Sequence, residues 1–147
     1  MAAEDQMTLE DQLCFALYDA SRAVMGQYRA GLAELGLTYT QYVVLLVLWA
    51  DSEATVSSLG DRLNLDSGTL SPLLKRLEAQ GLVRRVRSST DERVVHVHLT
   101  QAGAALEHDV NLVRCEVEAA VDIEPGEMAR LREQLHDLSA RLRSAQG

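Results

Sequence analysis

A chain of 147 residues, 47% of them hydrophobic, is the size of one domain with its own core, and this composition argues against disorder. The acidic N-terminal stretch has no basic segment followed by an apolar run, and no run of about 18 apolar residues occurs anywhere. Neither a secretory signal nor a membrane span is expected, and the predicted location is cytoplasmic. The net charge of −8 argues against nucleic acid as a partner until its distribution is read. Between residues 75 and 93, Lys75, Arg76, Arg84, Arg85, Arg87 and Arg93 stand against Glu78, Asp91 and Glu92, a local excess of +3 that leaves −11 for the remainder. A basic segment in an acidic body orients a molecule on a polyanion.

In chain order, Thr8 and Asp11 form a capping-box pattern that predicts a helix from Leu9. Leu13, Leu17, Ala20, Val24, Met25, Tyr28, Leu32 and Leu35 continue it at three- and four-residue steps to a stop at Gly36. This helix exceeds the ~8–20 residues usual in globular proteins, so its apolar stripe calls for a partner chain as cover. Thr38 and Gln41 form a second capping box, opening a core helix that ends near Asp51. Residues 51–55 read as a small polar loop.

A short helix over SSLGDRLNL follows, with Leu59 and Leu63 on one face, and Asn64 and Leu65 make a turn. Pro72 leaves two starts open for the next helix: a cap at Ser71 with Pro72 in the first position, or a cap at Asp66 with Pro72 one turn in and one hydrogen bond missing. Asp66 is favoured, because the segment Asp66–Thr69 then sets small polar groups at a helix N-terminus. The helix runs to about Gln80 with Leu70, Leu73, Leu74 and Leu77 inward, and Gly81 ends it. LVRRVR and RVVHVHL then pair across SSTDE as a hairpin, with Val95, Val97 and Leu99 toward the core and His96 and His98 exposed. Thr100 caps a helix through about Val121, and Pro125 opens a last helix striped by Met128, Leu131, Leu135, Leu138 and Leu142.

A short helix, a turn and a second helix followed by a basic hairpin is a geometry that sets the second helix in a DNA major groove and the hairpin at the flanking minor groove. Ser67, Thr69 and Ser71 are candidates for base contacts, Lys75 and Arg76 for phosphates, and Arg87 and Arg93 for the hairpin tip. Asp91, two residues before Arg93, can fix its guanidinium. His96 and His98 lack the carboxylates or thiols that would complete a zinc site, and neither metal nor cofactor is expected.

The two cysteines, Cys14 and Cys115, are expected to be free thiols in a reducing compartment, with any disulfide transient. A cysteine on an apolar helical face is by default a small buried hydrophobe. Tyr18, Tyr28 and Tyr39 add phenolic donors that could converge on Cys14 and favour its thiolate, the form that attacks peroxides.

The segment LDSGTLSPLLKRLEAQGLVRR with the wing STDERVVHVHLTQAG resembles the multiple-antibiotic-resistance regulator (MarR) family over residues from about 10 to 142. That resemblance implies an α+β, mainly helical fold, with a winged helix-turn-helix at 38–100 and dimerisation helices at 8–36 and 101–145. It also implies a homodimer that binds double-stranded operator DNA as a repressor rather than an enzyme. Within that family, Cys14 with Tyr28 and Tyr39 resembles the organic hydroperoxide resistance regulators, which implies Cys14 as redox sensor, Tyr28 and Tyr39 as its hydrogen-bonding partners, and organic hydroperoxide as effector. Cys115 resembles the resolving cysteine of the two-cysteine members, forming an intersubunit disulfide. Two rivals stand beside this reading: a repressor responding to a phenolic ligand, with Cys14 merely buried, and a thiol peroxidase, which would have no need of a recognition helix or wing.

Overall fold

The computed structural model describes residues 8–147. A 3-10 turn at Leu9–Asp11 precedes α1 (Leu13–Glu34), α2 (Tyr39–Asp51), β1 (Glu53–Thr55), α3 (Val56–Leu63), α4 (Ser67–Ala79), β2 (Val83–Arg87), β3 (Val95–Leu99), α5 (Gln101–Ala105), α6 (Glu107–Val121) and α7 (Pro125–Gln146). The fold is the mainly helical winged helix-turn-helix expected. The chain divides into two units, one ending at Arg114 and one spanning Cys115–Gly147.

Local chemistry sets most helix ends. The Gln41 N–H donates to Thr38 Oγ1 at 3.3 Å and the Thr38 N–H donates to Gln41 Oε1 at 2.9 Å, so two otherwise orphaned donors are satisfied reciprocally at the start of α2. Gly36, at φ +74°, closes the end of α1 in a conformation that glycine alone adopts without penalty. The predicted cap at Thr8 does not form. Its hydroxyl donates to the Asp11 carboxylate instead of accepting a backbone N–H, the local chain makes a 3-10 turn, and α1 starts at Leu13 rather than Leu9.

Asp66 caps α4, accepting the Thr69 N–H at 2.8 Å, and Pro72 lies inside the helix. Asn64, in the left-handed region at φ 55°, turns the chain between α3 and α4. Leu70, Leu73, Leu74 and Leu77 are all buried, joined in the core by Leu32, Leu45, Leu48, Leu59, Val83 and Val97. Truncating any of these to Ala removes about 2–5 kcal/mol where Leu is lost. The four leucines fix the roll of α4, so Ser67, Thr69, Ser71, Lys75 and Arg76 all stay exposed.

The sheet has the antiparallel order β1-β3-β2, with Arg85 opposite Val97, Val83 opposite Leu99 and Arg87 opposite Val95. β1 occupies part of the segment read as a loop. Three residues carry no alternation of their own, and their extended conformation comes from pairing Ala54 with Val97. Of the odd positions on β3 only Val97 is fully buried. His96 and His98 are half-buried rather than exposed, because the rings stack at 6.1 Å and His98 Nδ1 lies 3.0 Å from Glu53 Oε2 on β1.

The helix expected from Thr100 to Val121 is broken at Leu106 into α5 and α6. The Trp49 indole N–H donates to the Gly103 carbonyl at 2.9 Å, a carbonyl that would serve the Glu107 N–H in a continuous helix. Thr100 caps α5 as predicted, accepting the Gly103 N–H at 3.1 Å. In the second unit, Pro125 stands at the first position of α7 and the Glu124 carboxylate accepts the Gly126 N–H at 3.2 Å. Leu131, Leu135 and Leu142 of α7 are exposed, as are Leu13 and Val24 of α1. No single helix among the described residues is long and apolar enough to cross a membrane.

Candidate nucleic-acid interface and thiol region

Side-chain chemistry holds the exposed face of α4 and the hairpin as a pair. Glu78, near the end of α4, accepts the Arg85 backbone N–H at 3.0 Å and the Arg85 guanidinium at 3.0 and 3.3 Å. The backbone bond, reinforced by the guanidinium, holds the Glu78 carboxyl below its ordinary range. Recognition helix and wing are therefore joined by one carboxylate, a contact the sequence reading missed.

At the hairpin tip Asp91 accepts the Arg93 N–H at 3.1 Å and its guanidinium at 3.2 and 3.4 Å. These bonds, the side-chain pair foremost, depress the Asp91 carboxyl as the Thr69 N–H depresses that of Asp66. The Arg93 side chain remains 91% exposed, so its orientation is set while its outer donors stay in solvent. Arg87 donates to the Glu92 carbonyl at 2.5 Å, which ties the opposite strand to the same tip. Between α3, the start of α4 and the hairpin lies a cleft of about 660 Å³, lined among others by Ser57, Ser67, Ser71, Arg85, Arg87 and Arg93. Hydroxyls on a helix and guanidiniums on a hairpin across one concave surface suit a polyanion whose base edges are read by the helix.

Cys14 is exposed and lies in the first turn of α1. The predicted convergence of phenols on it does not occur within one chain. Cys14 and Tyr28 are fourteen residues apart on one helix, which at the helical rise is roughly 21 Å. Tyr18 is 60% exposed, with the Arg22 guanidinium 5.4 Å above its ring. Tyr28 and Tyr39 do meet each other, with ring centroids 5.6 Å apart, and Tyr42 completes the cluster at 5.2 and 5.7 Å. Burial raises the Tyr39 and Tyr42 phenols, and a hydrogen bond with Tyr28 raises Tyr42 further, so these rings are neutral donors at any physiological pH. Tyr42 is missing from the sequence-predicted site, and its spacing of three from Tyr39 on α2 is the signal that places it on the same face. In the second unit, Cys115 is exposed on α6.

A basic hairpin joined to the helix before it is the architecture of a winged helix-turn-helix. A family model of transcriptional regulators of the SarA/Rot type matches residues 28–110. The organic hydroperoxide resistance transcriptional regulator of Bacillus subtilis is 47% identical over 141 residues, 96% of this chain and 88% of that protein. Reduced AbfR bound to DNA superimposes with a TM-score of 0.85 at 35% identity, covering 98% of this chain and 99% of the other. AbfR is a Staphylococcus epidermidis protein. Its disulfide form superimposes with a TM-score of 0.65 at 36% identity, covering 95% and 93%. The chain belongs to the MarR family of winged-helix transcriptional regulators, in the branch of the organic hydroperoxide resistance regulators.

Proposed function

We propose that the protein is a homodimeric repressor that binds operator DNA when reduced and is released when an organic hydroperoxide oxidises Cys14. Ser67, Thr69 and Ser71 read base edges, Lys75 and Arg76 hold phosphates, and Arg87 and Arg93 enter the flanking groove with Asp91 fixing the Arg93 fork. The observation that carries the sensing role is an exposed thiol in the first turn of α1 and, near the other end of that helix, Tyr28 packed against Tyr39 and Tyr42 of α2. Tyr28 lies roughly 21 Å along the helix from Cys14 and Tyr39 packs on Tyr28, so these two donors reach Cys14 from the partner subunit. Two α1 helices crossing antiparallel about a two-fold axis bring the start of each beside the end of the other. The exposed Leu13 and Val24 of α1, and Leu131, Leu135 and Leu142 of α7, are the apolar surface such a dimer covers.

In the reaction the Cys14 thiolate attacks the terminal peroxide oxygen, the O–O bond breaks, and the departing alkoxide takes a proton to leave as an alcohol. Cys14 is then a sulfenic acid, donor-stabilised by the phenols. Cys115 of the partner subunit condenses with it, forming the disulfide and releasing water. Moving the helices that carry the thiols changes the separation of the two recognition helices, and half-site spacing is strict. The reported forms of AbfR, reduced on DNA and disulfide-bonded, support this cycle by likeness.

A phenolic ligand would not fit the cleft beside Tyr42. The cleft beside the phenols, lined by Tyr42, Leu46, Trp49 and Arg114, holds about 60 Å³, well below the ~300–1,000 Å³ of small-molecule sites. A mobility-shift titration with cumene hydroperoxide, run beside a non-reducing gel, tests the proposal. Wild type should leave the operator and form a covalent dimer. Cys14→Ser should bind and stay bound, and Cys115→Ser should be oxidised at Cys14 without cross-linking and keep more of its operator affinity than wild type. Release of Cys14→Ser by the peroxide would refute the reading.

A further inference from the structure

Two glutamine side chains tie the corner between α1 and α2 to the far end of the recognition helix. Gln41, in the first turn of α2, is 4% exposed and is the buried polar side chain of the described core. Its Oε1 accepts the Thr38 N–H at 2.9 Å, which orients the amide and leaves Nε2 to donate to Gln80 Oε1, also at 2.9 Å. Gln80 caps the C-terminal end of α4, and its Nε2 donates to the Gly36 carbonyl at 2.7 Å. The carbonyl before Leu37 and the N–H after it are thus both held by one chain of amides, and that chain has a single polarity: a carbonyl at one end, an N–H at the other.

The chain begins and finishes at the corner, with Gln80 at its middle, and the two elements it joins lead in different directions. At the corner, Thr38 is followed directly by Tyr39, whose ring packs on Tyr28 of α1 and Tyr42 of α2. On the α4 side, Gln80 is followed by Gly81 at φ +75°, whose carbonyl accepts the Thr100 hydroxyl at 2.6 Å, and then by β2 of the wing. A corner displaced by about 1 Å would stretch these bonds past their working length, so it either carries the end of α4 with it or breaks the chain. A buried amide costs folding free energy unless every group is paired, and here the pairing is spent on joining helices 39 residues apart in sequence rather than on a local cap alone.

We propose that the Gln41–Gln80 amide pair is the link through which displacement of the α1–α2 corner reaches the recognition helix. Both are positioning residues that act through the helices they join. The source of the displacement rests on the hydroperoxide reading above, whereas the link itself does not.

Gln80→Met and Gln41→Met keep side-chain length and remove the amide bonds, and Gln80→Glu keeps the acceptor while losing the donor to Gly36. In the full-length protein, operator affinity is measured by fluorescence anisotropy before and after organic hydroperoxide, Cys14 oxidation by mass spectrometry, and backbone hydrogen exchange without DNA. The expected result is Cys14 oxidation at the wild-type rate with an oxidant-induced loss of affinity about tenfold smaller than in wild type. The double variant should be no worse than either single one. In exchange, Gln80→Met should deprotect Thr38, and Gln41→Met the last turn of α4. Gln80 is exposed, so its variants carry the test even where Gln41→Met loses stability. Folded variants with wild-type release and wild-type exchange would overturn the link. If hydroperoxide fails to release wild type, the sensing reading falls, and the exchange measurement still decides the link.

Discussion

Gly103 is the position where an added methyl group has least room. A Cβ there would stand 2.1 Å from the Leu82 carbonyl oxygen and 3.0 Å from Leu99 Cδ2, whereas a carbon–oxygen contact needs about 3.3 Å. Gly103→Ala must therefore move α5 off the sheet by roughly 1 Å. That motion works against three bonds: Thr100 N–H to Leu82 O at 3.0 Å, Thr100 hydroxyl to Gly81 O at 2.6 Å, and Trp49 indole to Gly103 O at 2.9 Å. Losing them costs about 1 kcal/mol each. Alanine returns about 1 kcal/mol of helix propensity, leaving a net loss of about 2 kcal/mol. For a chain of this size that lowers Tm by roughly 4–8 °C. The assay is urea unfolding at one fixed protein concentration, because association would make the midpoint concentration-dependent. The chain holds one tryptophan, so native-state fluorescence reads the loss of the Trp49 bond directly. A Gly103→Ala protein as stable as wild type, with unchanged Trp49 emission, would refute the packing argument.

At the wing, Arg93→Ala should weaken operator binding and lower the salt slope by about 1. Asp91→Ala should weaken binding while leaving the slope in place, since it removes the orientation of the guanidinium and keeps its charge. Anisotropy titrations across salt concentration separate the two. The acid response follows from depressed carboxyls. The contributions of Glu78, Asp66 and Asp91 are complete above their ordinary values of 4.5, 3.8 and 3.8, and are lost as pH falls below those values through the folded-state ones. Urea midpoints should accordingly fall between pH 5 and pH 3. Glu78→Gln should be the less stable protein at neutral pH and lose less than wild type on acidification; an equal loss would show that Glu78 carries none of it.

What was legible in the sequence was whatever the chain decides locally. Thr38 with Gln41 forms a capping box from four adjacent residues, and Asp66 with Thr69 forms a cap that outweighs one bond lost at Pro72. The leucines of α4 announce their own face. The failures lie where a distant partner decides. The break at Leu106 depends on Trp49, 54 residues from Gly103, and β1 exists only because β3 lies beside it. The Glu78–Arg85 and Gln41–Gln80 contacts likewise have no sequence pattern, since each joins elements whose approach is set by the core. The thiol region fails for another reason. The rise of a helix already separates Cys14 from Tyr28, so arithmetic on the sequence alone excludes a contact between them within one chain.

The Glu78 carboxylate also matters for how these molecules behave in a crowd. β2 is an outer strand of the sheet, and an outer strand offers unpaired N–H groups on which a second chain can zip. The outward Arg85 N–H is already taken by Glu78, and Arg84 and Arg87 on either side repel another basic wing. The contact that steadies the wing therefore also occupies, at the middle of its open edge, a group that another chain would need for pairing.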